Sequence, residues 1–206
     1  MSTPSPHPIR LIVTDDLRRS RLTVFFRLLL AIPHLIWWRL WSILAVLVAL
    51  LTWICALVIG RPPKPFHRFL GAFVRYQNHL WAFLTLVGNP FPGFVGARGS
   101  YPIDLETPAE PERQNRLVTF FRIILAIPAA LVAGVLTYAL FVVAFLGWFA
   151  SLVRGRMPEG LRDLGVYALR YSGQLSAYVF LQTARYPHAS PRQEFTAPSP
   201  APSTTT

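Results

Sequence analysis

Arg21-Leu-Thr-Val-Phe-Phe-Arg-Leu-Leu-Leu-Ala-Ile-Pro33 is the stretch that decides the fold, and it returns as Arg116-Leu-Val-Thr-Phe-Phe-Arg-Ile-Ile-Leu-Ala-Ile-Pro128. Nine of the thirteen positions are identical at a constant offset of 95 residues, from 21 to 116. The chain therefore contains two tandem repeats. Each copy is aromatic and aliphatic, carries one arginine at its start and one inside it, and leads into a long apolar run. This pattern favours a membrane protein.

The composition narrows the class of protein. Of 206 residues, 53% are hydrophobic and 14% are charged, whereas an ordinary soluble domain has about 25% charged residues. A chain of this length cannot bury so much apolar surface in its own core, so we expect a lipid-facing surface. Twenty basic residues against nine acidic ones give a net charge of +11. Such an excess collects on the cytoplasmic side of membrane proteins, so we expect the lipid bilayer and its anionic phospholipids as partners, and no nucleic acid.

Two uncharged runs give the candidate spans. Leu40–Ile59 contains twenty residues without a charge and makes a helix of about 30 Å, which matches the hydrocarbon core of one bilayer. In the second copy, 123–153 is an uncharged run of thirty-one residues, too long for one upright span. We therefore predict a helical hairpin in each repeat, with turns near Arg39 and Gly134. The four predicted spans are about 22–38, 40–60, 117–133 and 135–153.

A third segment in each repeat, at 66–87 and at 161–183, has the spacing of an amphipathic helix. In the first copy apolar residues recur every three or four positions, and the polar residues share the other side. Placed across the bilayer, this helix would hold Arg75 near the middle, at a cost of about 2.5–3.5 kcal/mol. A position in the cytoplasmic membrane interface avoids this cost and is favoured over a spanning one, although both stay open.

Short extended segments precede both repeats. His7–Val13 and Tyr101–Thr107 have the pattern of brief strands, which either pair with each other or follow the membrane surface as separate linkers. The Pro-, Ser- and Thr-rich tail and the first residues are too poor in apolar side chains to pack. The predicted organisation is repeats at 7–92 and 101–188, a linker at 93–100, and disordered ends at 1–6 and 189–206.

The arginines of the two repeats set the predicted topology. Arg21, Arg27 and Arg61 recur at the equivalent positions of the second copy. An odd number of crossings per repeat would place equivalent arginines on opposite sides of the membrane, whereas basic residues tend to stay inside. We therefore predict a multi-pass protein of the bacterial cytoplasmic (inner) membrane, with four spans and both termini cytoplasmic. The predicted fold class is an all-α integral membrane protein with two tandem repeats, each a transmembrane helical hairpin plus a cytoplasmic interfacial amphipathic helix, led by short extended segments.

Several motifs recur in the same order in both halves: x-Pro-Ile-x-Leu, Arg-Leu-x-x-Phe-Phe-Arg-x-x-Leu-Ala-Ile-Pro, Gly-Arg-x-Pro, and Arg-Tyr followed by an aromatic residue and proline. This order resembles the bacterial membrane domain named domain of unknown function 4389, in two tandem copies. The first copy departs from the pattern at its third helix and ends Asn89-Pro-Phe-Pro92, whereas the second keeps Arg185-Tyr-Pro187. The resemblance implies an integral membrane protein and supplies no activity, substrate or catalytic residue.

No residue pattern indicates catalysis. The five histidines are scattered, none has a cysteine or carboxylate at the spacing of metal ligands, and no glycine-rich phosphate loop is present. We therefore expect no catalytic, metal-binding or cofactor-binding residue, and no enzyme. The candidate site residues are basic side chains for lipid head groups: Arg21, Arg27, Arg75, Arg116, Arg122 and Arg170. The alternative is that the arginines inside the repeated stretch only anchor the helices by reaching the membrane surface.

Two functions stay open at this point. The first is a non-catalytic scaffold or accessory subunit, whose interfacial helices contact anionic lipid, a membrane-protein partner or a second copy of the chain. The second is a small transporter or channel component that works as an oligomer. Transport usually needs polar groups in the middle of the membrane. Polar residues are few in the predicted spans, with Ser42, Thr52, Thr137 and Tyr138 among them, and this scarcity favours the scaffold.

Overall fold

The computed structural model describes residues 7–188, so the predicted disordered ends at 1–6 and 189–206 lie outside the described residues. Each half contains a strand, a short helix, a long helix and a third helix. In chain order the elements are β1 Arg10–Val13, α1 Arg21–Phe25, α2 Arg27–Ile59, α3 Lys64–Leu84, β2 Ile103–Glu106, α4 Arg116–Phe120, α5 Arg122–Arg154 and α6 Glu159–Val179. The prediction of a mostly helical chain built from two repeats is confirmed.

The long helices show that the predicted hairpin turns are wrong. α2 and α5 each continue for 33 residues, about 50 Å at 1.5 Å per residue, and both pass through the expected turns at Arg39 and Gly134. No helix-ending residue stands beside Arg39, and one glycine costs a helix only about 1 kcal/mol. The described residues therefore contain two helices long and apolar enough to cross a membrane, in place of four shorter spans.

Each long helix ends at a glycine in the left-handed conformation. Gly60 has a φ of 79° after α2, and Gly155 has a φ of 69° after α5. This backbone region favours glycine because a side chain there would clash with the backbone. The prolines that follow prevent the helix from continuing, so the chain turns at the two positions where the repeated Gly-Arg-x-Pro motif stands.

α3 returns antiparallel along α2. At one end of the pair Arg27 bonds to the carbonyl group of Phe83, and further along α2 Ala45 packs against Leu70. α6 returns along α5 in the same manner, with Arg122 bonded to the carbonyl group at its far end. Each repeat is therefore a helical hairpin, but its turn lies after the long helix and not within it.

A pseudo-two-fold axis relates the repeats. β1 pairs antiparallel with β2, and Leu11 lies opposite Leu105, so the extended segments pair with each other as one of the two alternatives predicted. Leu11 and Leu105 hold the same position in the two x-Pro-Ile-x-Leu motifs. The axis therefore passes through this residue pair. The strand pair packs on α3 and α6 through a cluster of Ile9, Val74, Leu105 and Ala177.

The two long helices run antiparallel, because each meets the start of the other repeat. At the α1 end of the molecule, Nη2 of Arg21 donates to the carbonyl oxygen of Val153 at 2.9 Å. At the opposite α4 end, Arg116 makes the equivalent bond to Val58, also at 2.9 Å. A two-fold axis that reverses the direction of the helices is perpendicular to them, so it crosses them near the middle of their length.

The third helices form where the amphipathic pattern predicts helix, as Lys64–Leu84 and Glu159–Val179. Much of the polar side of α3 is nevertheless covered, since His67, Arg75 and His79 are all buried. They lie beneath β2 and the segments on either side of it. The polar pattern of α3 therefore reflects contacts inside the protein, and the placement of these helices at a membrane interface stays a prediction.

Candidate functional site

Arg27 and Arg122 occupy equivalent positions inside the protein, and each is 2% exposed. Arg27 donates to the carbonyl oxygens of Phe83 and Gly88, at 2.6 and 3.2 Å, where α3 ends. Arg122 makes the same two bonds where α6 ends, at 2.5 and 3.0 Å. The last carbonyl groups of a helix have no donor within it. The two guanidinium groups supply those donors.

These contacts contradict the prediction that Arg27 and Arg122 bind lipid head groups. Each guanidinium carbon also lies 4.4 Å from the centre of an aromatic ring, Phe83 in one repeat and Tyr178 in the other. The ring and the negative end of the helix dipole both stabilise a cation in this position. The two arginines are therefore structural, since they join the start of each long helix to the end of the helix that returns along it.

Arg21 and Arg116 are exposed, and they lie at opposite ends of the molecule. Each uses one nitrogen to bond the last turn of the other repeat's long helix. Their exposure leaves them accessible to an anionic head group, so the predicted lipid contact at these two positions stays a prediction. The length of α5 separates them, about 50 Å for 33 residues, so they cannot hold one head group together.

Arg75 and Arg170 share a position in α3 and α6 but not an environment. Arg75 is 7% exposed and donates to the carbonyl group of Gly96 at 2.9 Å and to the Thr107 hydroxyl at 2.7 Å. Burial lowers the pKa of Arg75 from its ordinary value. Arg170 is partly exposed, and its guanidinium carbon lies 5.4 Å from the ring centre of Tyr167. The six arginines named from the sequence thus form no single site.

A buried polar pair near the axis escapes sequence reasoning. Nε2 of His79 lies 2.6 Å from Oδ1 of Asp104, and both residues are buried. The carboxylate also accepts hydrogen bonds from the backbone N–H groups of Gly99 at 2.6 Å and Leu105 at 2.9 Å. Burial alone raises the pKa of Asp104, but the bonds from His79 and the backbone together hold this pKa below its ordinary value.

The pair depends on the packing of β2 on α3. His79 and Asp104 are 25 residues apart, and β2, which pairs with β1, carries the carboxylate. The residue equivalent to His79 is Gln174, whose side chain donates to the carbonyl group of Ile9 at 3.4 Å. The sequence contained one indication of this pair. The two repeats have different residues at this position, histidine and glutamine, which indicates that the two side chains have different partners.

Comparison with known proteins places the chain in a family. Residues 21–95 and 116–190 each match the family model described as "Domain of unknown function (DUF4389)", so the two matches fall on the two repeats and cover most of the chain. The chain belongs to the DUF4389 family. The resemblance seen in the motifs is thereby confirmed, including its two tandem copies. No curated protein and no solved structure matches the chain.

In both DUF4389 repeats the long helix presents an apolar surface. The exposed residues of α2 are apolar apart from Arg39, and those of α5 carry no charge before its last residue, Arg154. The side of α2 that faces the protein includes three fully buried alanines, Ala31, Ala45 and Ala56. Such long apolar surfaces need a cover of lipid or protein, and they suggest membrane association.

Two clefts lie between elements of the DUF4389 repeats. The cleft at the α1 end has a volume of about 520 Å³, and its lining is basic: Arg18, Arg19, Ser20, Asn89, Gly155 and Arg156. A second cleft of about 240 Å³ lies between α3, α5 and α6, and its lining includes Gln77, Asn78, Trp81, Phe141, Ser172 and Ser176. Across residues 7–188 there is no group of three or more His, Cys, Asp or Glu side chains placed to hold a metal ion.

Proposed function

We propose that this DUF4389 protein is a non-catalytic membrane scaffold of the bacterial cytoplasmic membrane, held in the bilayer by α2 and α5. One observation carries the proposal: the exposed surface of both helices is apolar along most of their 33 residues, and its polar interruptions are Arg39, Thr137, Tyr138 and the terminal Arg154. Contact of such a surface with lipid chains costs no free energy of hydration, whereas its exposure to water is unfavourable. Apart from Arg39 and Arg154, the exposed charged residues of 7–188 lie outside the two long helices.

The buried contacts support a structural role over a catalytic one. A catalytic acid or base must reach its substrate, but His79 has no exposed surface and Asp104 is closed in by its backbone donors. Arg27 and Arg122 are likewise used by helix ends. These groups hold the helices and strands in one arrangement, as a scaffold requires.

The exposed arginines form the surface through which the scaffold would bind its partners. Arg18, Arg21 and Arg156 gather at the α1 end, and Arg113 and Arg116 at the α4 end. Cationic groups beside a membrane attract anionic phospholipids, at about 1 kcal/mol per residue. The proposed partners are therefore phosphatidylglycerol or cardiolipin head groups, with a membrane-protein partner or a second copy bound through the same surface.

Membrane fractionation tests the location. The chain is expected to stay with membranes through an alkaline carbonate wash and to need detergent for extraction. Replacing Leu47 and Leu51, which are exposed on α2, with glutamate is expected to weaken this retention, because a charge is costly in hydrocarbon. The matched control places glutamate at Thr14 and Ser100, both exposed outside the long helices. Recovery of the unmodified chain in the wash would contradict the proposal.

Lipid co-purification tests the partner. Arg21→Ala combined with Arg116→Ala is expected to reduce the phosphatidylglycerol and cardiolipin retained in detergent, since it removes an exposed charge from each end. Arg10→Ala, which removes an exposed charge from β1, is the control and is expected to change little. Equal retention in the two variants would contradict the lipid contact.

The cleft between α3, α5 and α6 is the observation that favours a transporter or channel component as a second candidate. It brings Gln77, Asn78, Ser172 and Ser176 together close to the axis, and polar groups inside a membrane protein often mark a solute path. An ion or solute flux in liposomes containing the purified chain, lost on Gln77→Leu with Ser172→Ala, would favour this candidate. The scaffold predicts no flux above that of empty liposomes.

A further inference from the structure

We infer that the protein lies within one leaflet of the bilayer, with its pseudo-two-fold axis along the membrane normal and with α2 and α5 close to the membrane plane. Neither long helix then crosses the membrane. The inference rests on the proposed membrane location and defines its geometry: the paired strands β1 and β2 face the cytoplasm, and the two long helices fill the cytoplasmic leaflet.

The position of the strand pair is the first reason. The axis runs through Leu11 and Leu105, and the strands beside it carry the exposed charges Arg10 and Glu106. Because the axis crosses the long helices near their middle, helices that spanned the membrane would put these charges at the bilayer midplane. Water is absent there, and exposed irregular backbone is not tolerated. With the axis along the normal, the same strands are in water.

Contacts between α2 and α3 confirm that the strand pair stands at mid-helix. Asp104 of β2 pairs with His79 of α3. One turn away on α3, the Tyr76 hydroxyl lies 2.8 Å from Nδ1 of His34, and the Tyr76 ring contacts Trp41. Residues 34–41 are the middle of the helical stretch 21–59 formed by α1 and α2. The strands are therefore far from both helix ends.

Arg39 is the second reason. It is exposed at the midpoint of that helical stretch, where a spanning helix would place it at the centre of the bilayer, at a cost of about 2.5–3.5 kcal/mol. In a helix near the membrane plane, the same side chain reaches the head groups. Trp37, Trp38 and Trp41 lie within two positions of it in the sequence, and tryptophan is enriched at the depth of the head groups. Trp37 also donates to the carbonyl group of Phe94 in the loop before β2.

The dimensions are the third reason. Each long helix is about 50 Å in length at 1.5 Å per residue, against about 30 Å for the hydrocarbon core. A helix with its side chains is about 10–12 Å thick, and one leaflet offers about 15 Å of hydrocarbon, half of the core. One layer of helices therefore fits within a leaflet, while an upright helix of this length would not fit the bilayer without a steep tilt.

The charges at the two ends are the fourth reason. Arg18 and Arg21 are exposed at the α1 end, and their equivalents Arg113 and Arg116 are exposed at the α4 end. Spanning helices would hold one pair on each side of the membrane, against the tendency of basic residues to stay inside. In-plane helices place both pairs at the cytoplasmic surface. The even number of crossings expected from the sequence is then zero per repeat.

Cysteine labelling distinguishes the two orientations. In a Cys55→Ser background, Arg18→Cys and Arg113→Cys place one thiol at each end of the molecule, at equivalent exposed positions, and Glu106→Cys places one on the strand pair. A membrane-impermeant maleimide is expected to label all three from the cytoplasmic side in inverted vesicles, and to lose this labelling in right-side-out vesicles. Labelling of Arg18→Cys and Arg113→Cys from opposite sides would overturn the inference.

A depth measurement gives an independent result. A nitroxide attached at Arg39→Cys is expected to be accessible to a water-soluble nickel chelate. Such accessibility is typical of a side chain at the level of the head groups. A nitroxide reached by oxygen but not by the chelate would place residue 39 near the bilayer centre and overturn the inference. Failure of the proposed function looks different, because the unmodified chain would then leave the membrane in carbonate, as a soluble monomer or as an oligomer whose copies cover the apolar helices.

Discussion

At the two ends of the molecule one arginine makes the same contact in both repeats, while at the centre equivalent residues make different contacts. Arg27 and Arg122 close equivalent helix ends with almost the same distances. Near the axis, His79 pairs with Asp104, but Gln174 in its place bonds to a backbone carbonyl group. The distance between equivalent positions explains the difference. At the ends equivalent residues are far apart, so the same residue can make the same contact in both repeats.

Close to the axis a residue lies beside its own equivalent. Asn78 and Gly173 are equivalent, and a Cβ atom on Gly173 would stand 3.6 Å from the Asn78 side-chain oxygen and 2.8 Å from Leu105. Two large or two like-charged residues could not share this space, so a large residue in one repeat faces a small one in the other. The centre is therefore where the repeats had to diverge, and the following predictions test this contrast.

The largest effect is expected at the ends. Arg27→Ala and Arg122→Ala each remove a charged donor from two carbonyl groups. The carbonyl group of Phe83 or Tyr178 keeps a backbone donor. That of Gly88 or Thr183 loses its donor, at about 1–3 kcal/mol, and the cavity left by the side chain adds to the cost. The contrast predicts equal losses of about 2–5 kcal/mol in the free energy of unfolding, measured as thermal unfolding in detergent. Arg21→Ala, at an exposed position of the same stretch, is the control and is expected to cost below about 1 kcal/mol. Tolerance of one of the two buried substitutions alone would show that the ends are not equivalent.

A smaller and unequal effect is expected at the centre. Asp104→Asn leaves the backbone donors of Gly99 and Leu105 and the His79 ring without a carboxylate, at a cost of about 1–3 kcal/mol. Gln174→Leu removes a bond of 3.4 Å to the carbonyl group of Ile9 and one of 3.0 Å from the backbone N–H of His188. It is expected to cost less than Asp104→Asn, because both bonds join neutral groups. The same unfolding measurement compares the two variants. Equal losses of stability at the two positions would contradict the difference between the repeats at the centre.

The smallest effect is expected in the pH dependence of stability. It comes from His67 in the third helix of the first repeat, a position that has no histidine in the second repeat. Burial lowers the pKa of His67 from its ordinary value of 6.5, and Arg162 replaces it in the second repeat. Since the unfolded chain then takes up the proton first, stability is expected to fall as the pH drops from about 7.5 to about 5.5. His67→Asn is expected to reduce this fall, leaving the part due to His7, whose pKa burial also lowers.

An unchanged fall in the melting temperature of His67→Asn would contradict this assignment. Asp104 does not interfere in this range. Because its pKa is held below the ordinary value of 3.8, its contribution to stability is fully present above that value and is lost only at lower pH.

The sequence was sufficient for the repeat, the apolar helices and the third helix, because each depends on a local pattern. It was insufficient for the turn, since the length of the uncharged run 123–153 favoured two short helices over one long one. It also assigned Arg27 and Arg122 to lipid, because hydropathy records an arginine in an apolar stretch but not the helix end 56 residues away that it bonds. His79 and Asp104 are 25 residues apart and meet only where β2 packs on α3, which no local pattern encodes.

The exchange of helix ends between the repeats has a consequence for the order of synthesis. The carbonyl group of Gly60 accepts its hydrogen bond from the backbone of Gln114, and that of Val58 from Arg116. Both donors leave the ribosome only after the whole first repeat. The carbonyl groups at the end of α2 therefore lack these donors until the second repeat begins to emerge. At the α1 end, the backbone N–H of Arg19 lacks its acceptor until Gly155 has been synthesised. The molecule cannot be completed one half at a time.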